Sequence, residues 1–133
     1  MKGTYILLIE VSNNINIKVG KLGLFFFKKG YYFYIGSAMG NSGSSTLLNR
    51  VLRHVRLPEQ KRNHWHIDFL LKDESANIIK IHLIPCNYKL ECILAQELID
   101  ISDDLIENFG SSDCNCESHL IYFKENPKRY LVR

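Results

Sequence analysis

The chain reads as an α+β domain with a small, mostly antiparallel sheet and two or three helices against it. Three observations carry that reading. Short apolar runs separated by Gly, Asn and Lys turns fill the first third. Two later stretches, near 47–55 and 88–101, repeat apolar residues at helical spacing, and strand-like segments lie beyond each.

Tyr5 to Val11 is the first strand. Ser12, Asn13 and Asn14 make a turn, after which Ile15, Ile17 and Val19 alternate with Asn16 and Lys18 at period two, so a hairpin is expected. Gly20-Lys21-Leu22-Gly23 is a second turn, Leu24 to Phe27 a short apolar segment, and Lys28-Lys29-Gly30 a third turn. Tyr31 to Ile35 is then an aromatic strand, completing a meander. Gly36 to Ser45 is rich in Gly, Ser and Asn and reads as loop, with Ser44 or Ser45 placed to cap the next helix. In that helix Leu48, Val51, Leu52 and Val55 share one face while Arg50, Arg53 and His54 share another, and Pro58 ends it. His64 to Leu71 is either an alternating strand or a short helix beginning after Asn63. As a strand it would project His64, His66 and Asp68 from one face. Ile78 to Ile84 is a clearer strand. Leu90, Ile93, Leu94, Leu98 and Ile101 set the second good helix, which Leu105 to Phe109 extends or follows with a short third one. Gly110 to Cys116 is irregular, and His119 to Phe123 is the last strand.

At 133 residues, with 46% apolar and 23% charged, the composition suits one ordinary domain spanning 1–133 and excludes the disordered classes. No apolar run approaches the roughly 18 residues of a membrane span, and Met1-Lys2-Gly3 leads into strand sequence instead of a cleavable signal. A cytoplasmic protein with no membrane association is expected. Four cysteines, Cys86, Cys92, Cys114 and Cys116, are few for a disulfide framework and are expected reduced. Cys114 and Cys116, with Asp113 and His119, resemble half a zinc site, yet one intervening residue fits zinc poorly. The net charge of +3 is modest, so distribution matters more than the sum. Arg50, Arg53, His54, Arg56, Lys61, Arg62 and His64 fall within fifteen residues. Arg53, Arg56, Lys61, Arg62, His64 and His66 are therefore candidate contacts to a nucleic-acid backbone, as against a merely solvated basic face.

The chemistry-bearing feature is the aromatic strand that stops at Gly36, followed by Arg50 and, one helical turn on, His54. It puts a phenol and a guanidinium at one end of a strand-to-helix connection. Phosphodiester hydrolysis asks for such groups: a base, a cation for the phosphate, and usually a carboxylate-held divalent metal. Gly3-Thr4-Tyr5 with Tyr34-Ile35-Gly36 resembles the pair of tripeptides that names the GIY-YIG endonucleases. The whole chain is similar to their Uri-type branch, in Gly-Thr-Tyr (3–5), Tyr-x-Gly-Ser-Ala (34–38), Arg-His (53–54), His-Trp-His-x-Asp (64–68) and Phe-Gly-x-Ser-Asp-Cys-x-Cys-x-Ser-His (109–119).

The resemblance implies a GIY-YIG-like sheet flanked by helices and a divalent-metal-dependent endonuclease acting on DNA, in repair or processing. It implies Tyr5, Tyr34, Arg50, His54 and Glu91 as catalytic residues, with Glu91 on the later helix holding Mg2+ or Mn2+. Glu97 is the alternative ligand, although a count of 100° per residue puts it inside the apolar stripe. Two departures stand out: Gly-Thr-Tyr replaces Gly-Ile-Tyr, and an extra hairpin, Ile15 to Lys29, separates the motifs. A tyrosine with its usual pKa near 10 would need a neighbouring cation or His54 to act as a base. The competing reading is a non-catalytic nucleic-acid-binding module with the same cleft, since aromatic and basic groups bind strands without turnover.

Overall fold

The computed structural model describes residues 1–43, 46–55, 66–106, 109 and 118–127. Over these the chain runs β1 (Gly3–Val11), β2 (Ile15–Lys18), a 3-10 turn (Gly20–Leu22), β3 (Leu24–Phe27), β4 (Gly30–Ala38), α1 (Leu47–His54), α2 (His66–Leu71), β5 (Ala76–Pro85), α3 (Glu91–Ile101), β6 (Asp104–Leu105) and β7 (Leu120–Phe123). A five-stranded antiparallel sheet in the order β5-β1-β4-β7-β6 carries the fold, and β2 and β3 form a separate two-stranded ribbon. The architecture is α+β with a hairpin inserted between β1 and β4, but the N-terminal third is not the meander that its turns suggest: β1 pairs with β4 and β5, and β2 pairs with β3. No helix among the described residues is long and apolar enough to cross a membrane.

The unbroken apolar run in β1 exists because both faces of that strand are covered. Tyr5, Leu7 and Ile9 join Tyr32, Tyr34, Leu47, Val51, Ile67 and Leu70 on one face, while Ile6 and Leu8 join Phe33, Ile35 and Ala95 on the other. Successive strand residues point to opposite faces, so α1, α2 and the ribbon lie on the Tyr5 side and α3 on the Ile6 side. β4 runs two residues past Gly36, where composition suggests loop, because Ser37 and Ala38 pair with Thr4 and Gly3.

The helices correct several sequence expectations. Thr46 caps α1, its Oγ1 accepting from the Asn49 amide at 3.4 Å; Ser44, Ser45 and Pro58 lie outside the described residues. The inward face of α1 is Leu47, Val51 and His54, whereas Leu48, Leu52 and Val55 are about half exposed. His54 does not share a solvent face with Arg50 and Arg53, because a buried partner draws it inward. Residues 66–71 are helical, since Ile67 and Leu70, three apart, both bury; His66 and Asp68 therefore do not project from one strand face. α3 buries Glu91 and Ala95 and packs Leu94, Leu98 and Ile99, leaving Ile93 and Ile101 exposed, so the stripe is rotated from the one the spacing suggests. Leu105 lies in β6, paired with Ile121 of β7, and does not extend that helix.

Candidate functional site

Antiparallel pairing of β1 with β4 brings the start of one against the end of the other, with Tyr5 opposite Gly36 and Leu7 opposite Tyr34. The two tyrosines share a face, their ring centroids 6.5 Å apart. A Cβ on Gly36 would collide with the Tyr5 ring, so the phenol fills the space a side chain would take. Its φ is not in the left-handed region, and glycine is needed here for room. Leaning across β4, Tyr5 meets α1: its hydroxyl and His54 Nε2 are hydrogen-bonded at 2.7 Å, and the Tyr34 ring stands 6.0 Å from the imidazole. Tyr5, Tyr34 and His54 are 3%, 6% and 2% exposed.

Arg50 Nη1 donates to the Ser37 carbonyl at 2.9 Å, fixing its guanidinium against the end of β4. Burial, and secondarily Tyr34, push the Tyr5 phenol well above the usual range; Arg50 pulls the other way, Asp68 adds to the rise and Arg53 opposes it. The cation beside the phenol that a tyrosine base requires is thus present but outweighed by desolvation. A folded-state pKa above the unfolded value of about 10 means Tyr5 contributes stability below that pH and loses it above, as the unfolded chain ionises first. Tyr32, also raised by burial, acts in the same sense. Urea unfolding measured from pH 8 to pH 11 is expected to show stability falling above pH 10. A flat profile there would mean the phenols are not buried as described.

Arg53 is placed differently from its expected role as a phosphate contact. Its Nη1 and Nη2 donate to both Asp68 oxygens, at 3.0 and 2.9 Å, and Asp68 is fully buried. The pair clamps α1 to α2. His66 is half-buried, its ring 5.8 Å from Phe109. Arg56, Lys61, Arg62 and His64 lie outside the described residues.

Glu91 occupies the first turn of α3, 7% exposed, and its Oε2 is buried with no hydrogen-bond partner among the described residues. Glu97 is exposed, which removes the ground for reading it as a buried ligand. Glu91 belongs to the sheet end that holds the tyrosines, for Cys92 Sγ is 3.9 Å from His119 Nε2 and the His119 carbonyl accepts from the Ile35 amide at 3.0 Å. It approaches, however, from the opposite face of the sheet to Tyr5 and His54. Among the described residues no cluster of three or more His, Cys, Asp or Glu is placed to hold a metal. Cys92 is disulfide-bonded, so the expectation of four reduced cysteines is corrected. Cys86 is free.

A family model described as "Domain of unknown function DUF123" matches residues 4–132. The chain belongs to the DUF123 family. No curated protein and no solved structure gives a significant match. In this DUF123 domain the tyrosine motifs, Arg50 and His54 come together, and Glu91 stands behind them. The places of two residues already in the motifs were not legible in the sequence. Asp68 pairs with Arg53 across fifteen residues, an interval with no local signature. Thr4, a fully buried hydroxyl without a hydrogen-bond partner among the described residues, was signalled only as a polar residue opening an apolar strand.

Proposed function

We propose that this DUF123 domain is a GIY-YIG-type endonuclease that hydrolyses DNA with Mg2+ or Mn2+. The Tyr5–His54 hydrogen bond beside Arg50, at the end of the paired motif strands, is the observation that carries the reading. A buried phenol is a poor standing base. Bonded to an imidazole, it needs no standing phenolate, because it can pass its proton to Nε2 as it takes one from water. Tyr34 packs against both rings and orients the water. The Arg50 positive charge, already felt at the Tyr5 oxygen, stabilises the charge that develops on the phosphate.

Glu91 suits a hard divalent cation: a single carboxylate with an unpartnered buried oxygen matches a metal that keeps several waters and takes its remaining ligands from phosphate. When bound, the metal supplies charge neutralisation at the phosphate. A strand of DNA lying across the sheet end would meet Tyr5 and Arg50 from one face and Glu91 from the other. Arg56, Lys61, Arg62, His64 and His66 remain the proposed contacts along the backbone.

Cleavage of single-stranded, duplex and branched DNA with Mg2+ or Mn2+ tests the proposal. Glu91→Gln is expected to lower cleavage by about 100-fold or more with DNA affinity retained, because the amide keeps the size and loses the charge. Arg50→Ala is expected to weaken both binding and cleavage. Wild-type protein that binds DNA but cuts none of these substrates would replace the enzyme with the non-catalytic module.

A further inference from the structure

Two polar groups on the α3 face of the sheet are buried without hydrogen-bond partners among the described residues: Thr4 Oγ1, fully buried, and Glu91 Oε2. A lone hydroxyl and a lone carboxylate oxygen in an interior are costly, and native chains rarely keep them without a purpose.

Topology puts them at the same end and on the same face of the sheet. A connection of five residues joins the end of β5 at Pro85, which pairs with Gly3, to α3, so the helix starts at the Thr4 end of the sheet. It finishes near Tyr122, whose carbonyl accepts from the Asp103 amide, so it runs away from that end. Ala95 packs in one cluster with Ile6 and Ile35. Four helix residues back from Ala95 is about 6 Å, or roughly two residues along a strand. That step carries Ala95 to Glu91, Ile6 to Thr4 and Ile35 to Ser37. Thr4 and Ser37 are directly paired and so share a face, the one α3 covers.

We propose that Thr4, with Glu91 and Ser37, forms a hard-oxygen site for a divalent cation, in which the Thr4 hydroxyl is a direct ligand. The inference rests on the reading of Glu91 as the metal-holding carboxylate and adds a ligand that its buried position next to the motif tyrosine supplies. Threonine, serine and carboxylate oxygens are the donors Mg2+ and Mn2+ accept. Ser37 also ties the two faces of the sheet end together, since its carbonyl holds Arg50 while its side chain stands on the Thr4 side.

The test is Mn2+ binding to the full chain without DNA, followed by loss of the free-ion resonance signal and by the metal-induced rise in melting temperature. Thr4→Val, which exchanges the hydroxyl for a methyl, is expected to weaken Mn2+ by about tenfold or more and to shrink the metal-induced rise. Without metal it is expected to melt higher than wild type, because an orphaned hydroxyl has been removed. Thr4→Ser keeps the oxygen and is expected to retain Mn2+ affinity, which separates ligation from damage to the fold. Thr4→Val binding Mn2+ like wild type, with Glu91→Gln unable to bind, overturns the role of Thr4 and leaves Glu91 standing. Wild type and Glu91→Gln behaving alike toward Mn2+ overturns both.

Discussion

Arg53→Ala is expected to destabilise the domain by about 3 kcal/mol or more, read as a lower midpoint in urea with an unchanged slope. The size follows from the asymmetry of the pair. Asp68 is fully buried and the Arg53 side chain is 16% exposed, so the fork-to-fork contact at 2.9–3.0 Å works in a poorly solvated setting. Removing the guanidinium leaves the carboxylate in the interior, stripped of two charge-assisted hydrogen bonds. Arg53→Lys is expected to recover only part of the loss, since an ammonium cannot reproduce the bidentate geometry. A cost below about 1 kcal/mol would class the contact with exposed ion pairs and remove it as the clamp between α1 and α2. The comparison with Arg50 is informative: Arg50→Ala is directed at binding and cleavage, so two arginines three residues apart should separate stability from function.

The same contrast shows how far the sequence could be read. Short apolar runs separated by turns located β1 to β4 as strands, because both signals are local, but they did not give the pairing, since β1 passes over β2 and β3 to meet β4. The neighbouring placement of the motif tyrosines was implied by the GIY-YIG resemblance, whereas Arg50 and His54 are an i, i+4 pair on one helix, which is local. The assignments that depended on which helix face turns inward failed as well. In α1 the apolar residues offered one stripe, yet His54 buries and Leu48, Leu52 and Val55 stay half exposed, because the Tyr5 hydroxyl gives the imidazole a partner forty-nine residues away in sequence. In α3 the apolar arc is wider than the sheet can cover. Only the side carrying Glu91, Leu94, Ala95, Leu98 and Ile99 docks. The face on which Glu91 enters is likewise a property of the β5-to-α3 connection, and no spacing within α3 encodes it.

Gly36→Ala is expected to damage the site as severely as removing a catalytic group, although the added methyl touches no substrate. The Cβ would meet the Tyr5 ring at Cζ, Cε2 and the hydroxyl, so the ring must move away from β4 and leave His54. Forcing a methyl into a packed position costs about 1–3 kcal/mol, and losing the phenol–imidazole bond removes the proposed proton relay, for an expected fall in cleavage of about 100-fold or more. The claim that Tyr5 transmits the damage is checked by a double-mutant cycle on stability. In a Tyr5→Leu background the ring is gone, so adding Gly36→Ala should cost much less than it does in the wild type, leaving a coupling energy of about 1 kcal/mol or more. Strictly additive costs would sink the explanation, since they would mean that Gly36 serves the backbone of β4 and not the seat of the phenol. Because the Gly36 φ lies outside the left-handed region, backbone relief offers no competing source of coupling, and the cycle reads the ring contact directly.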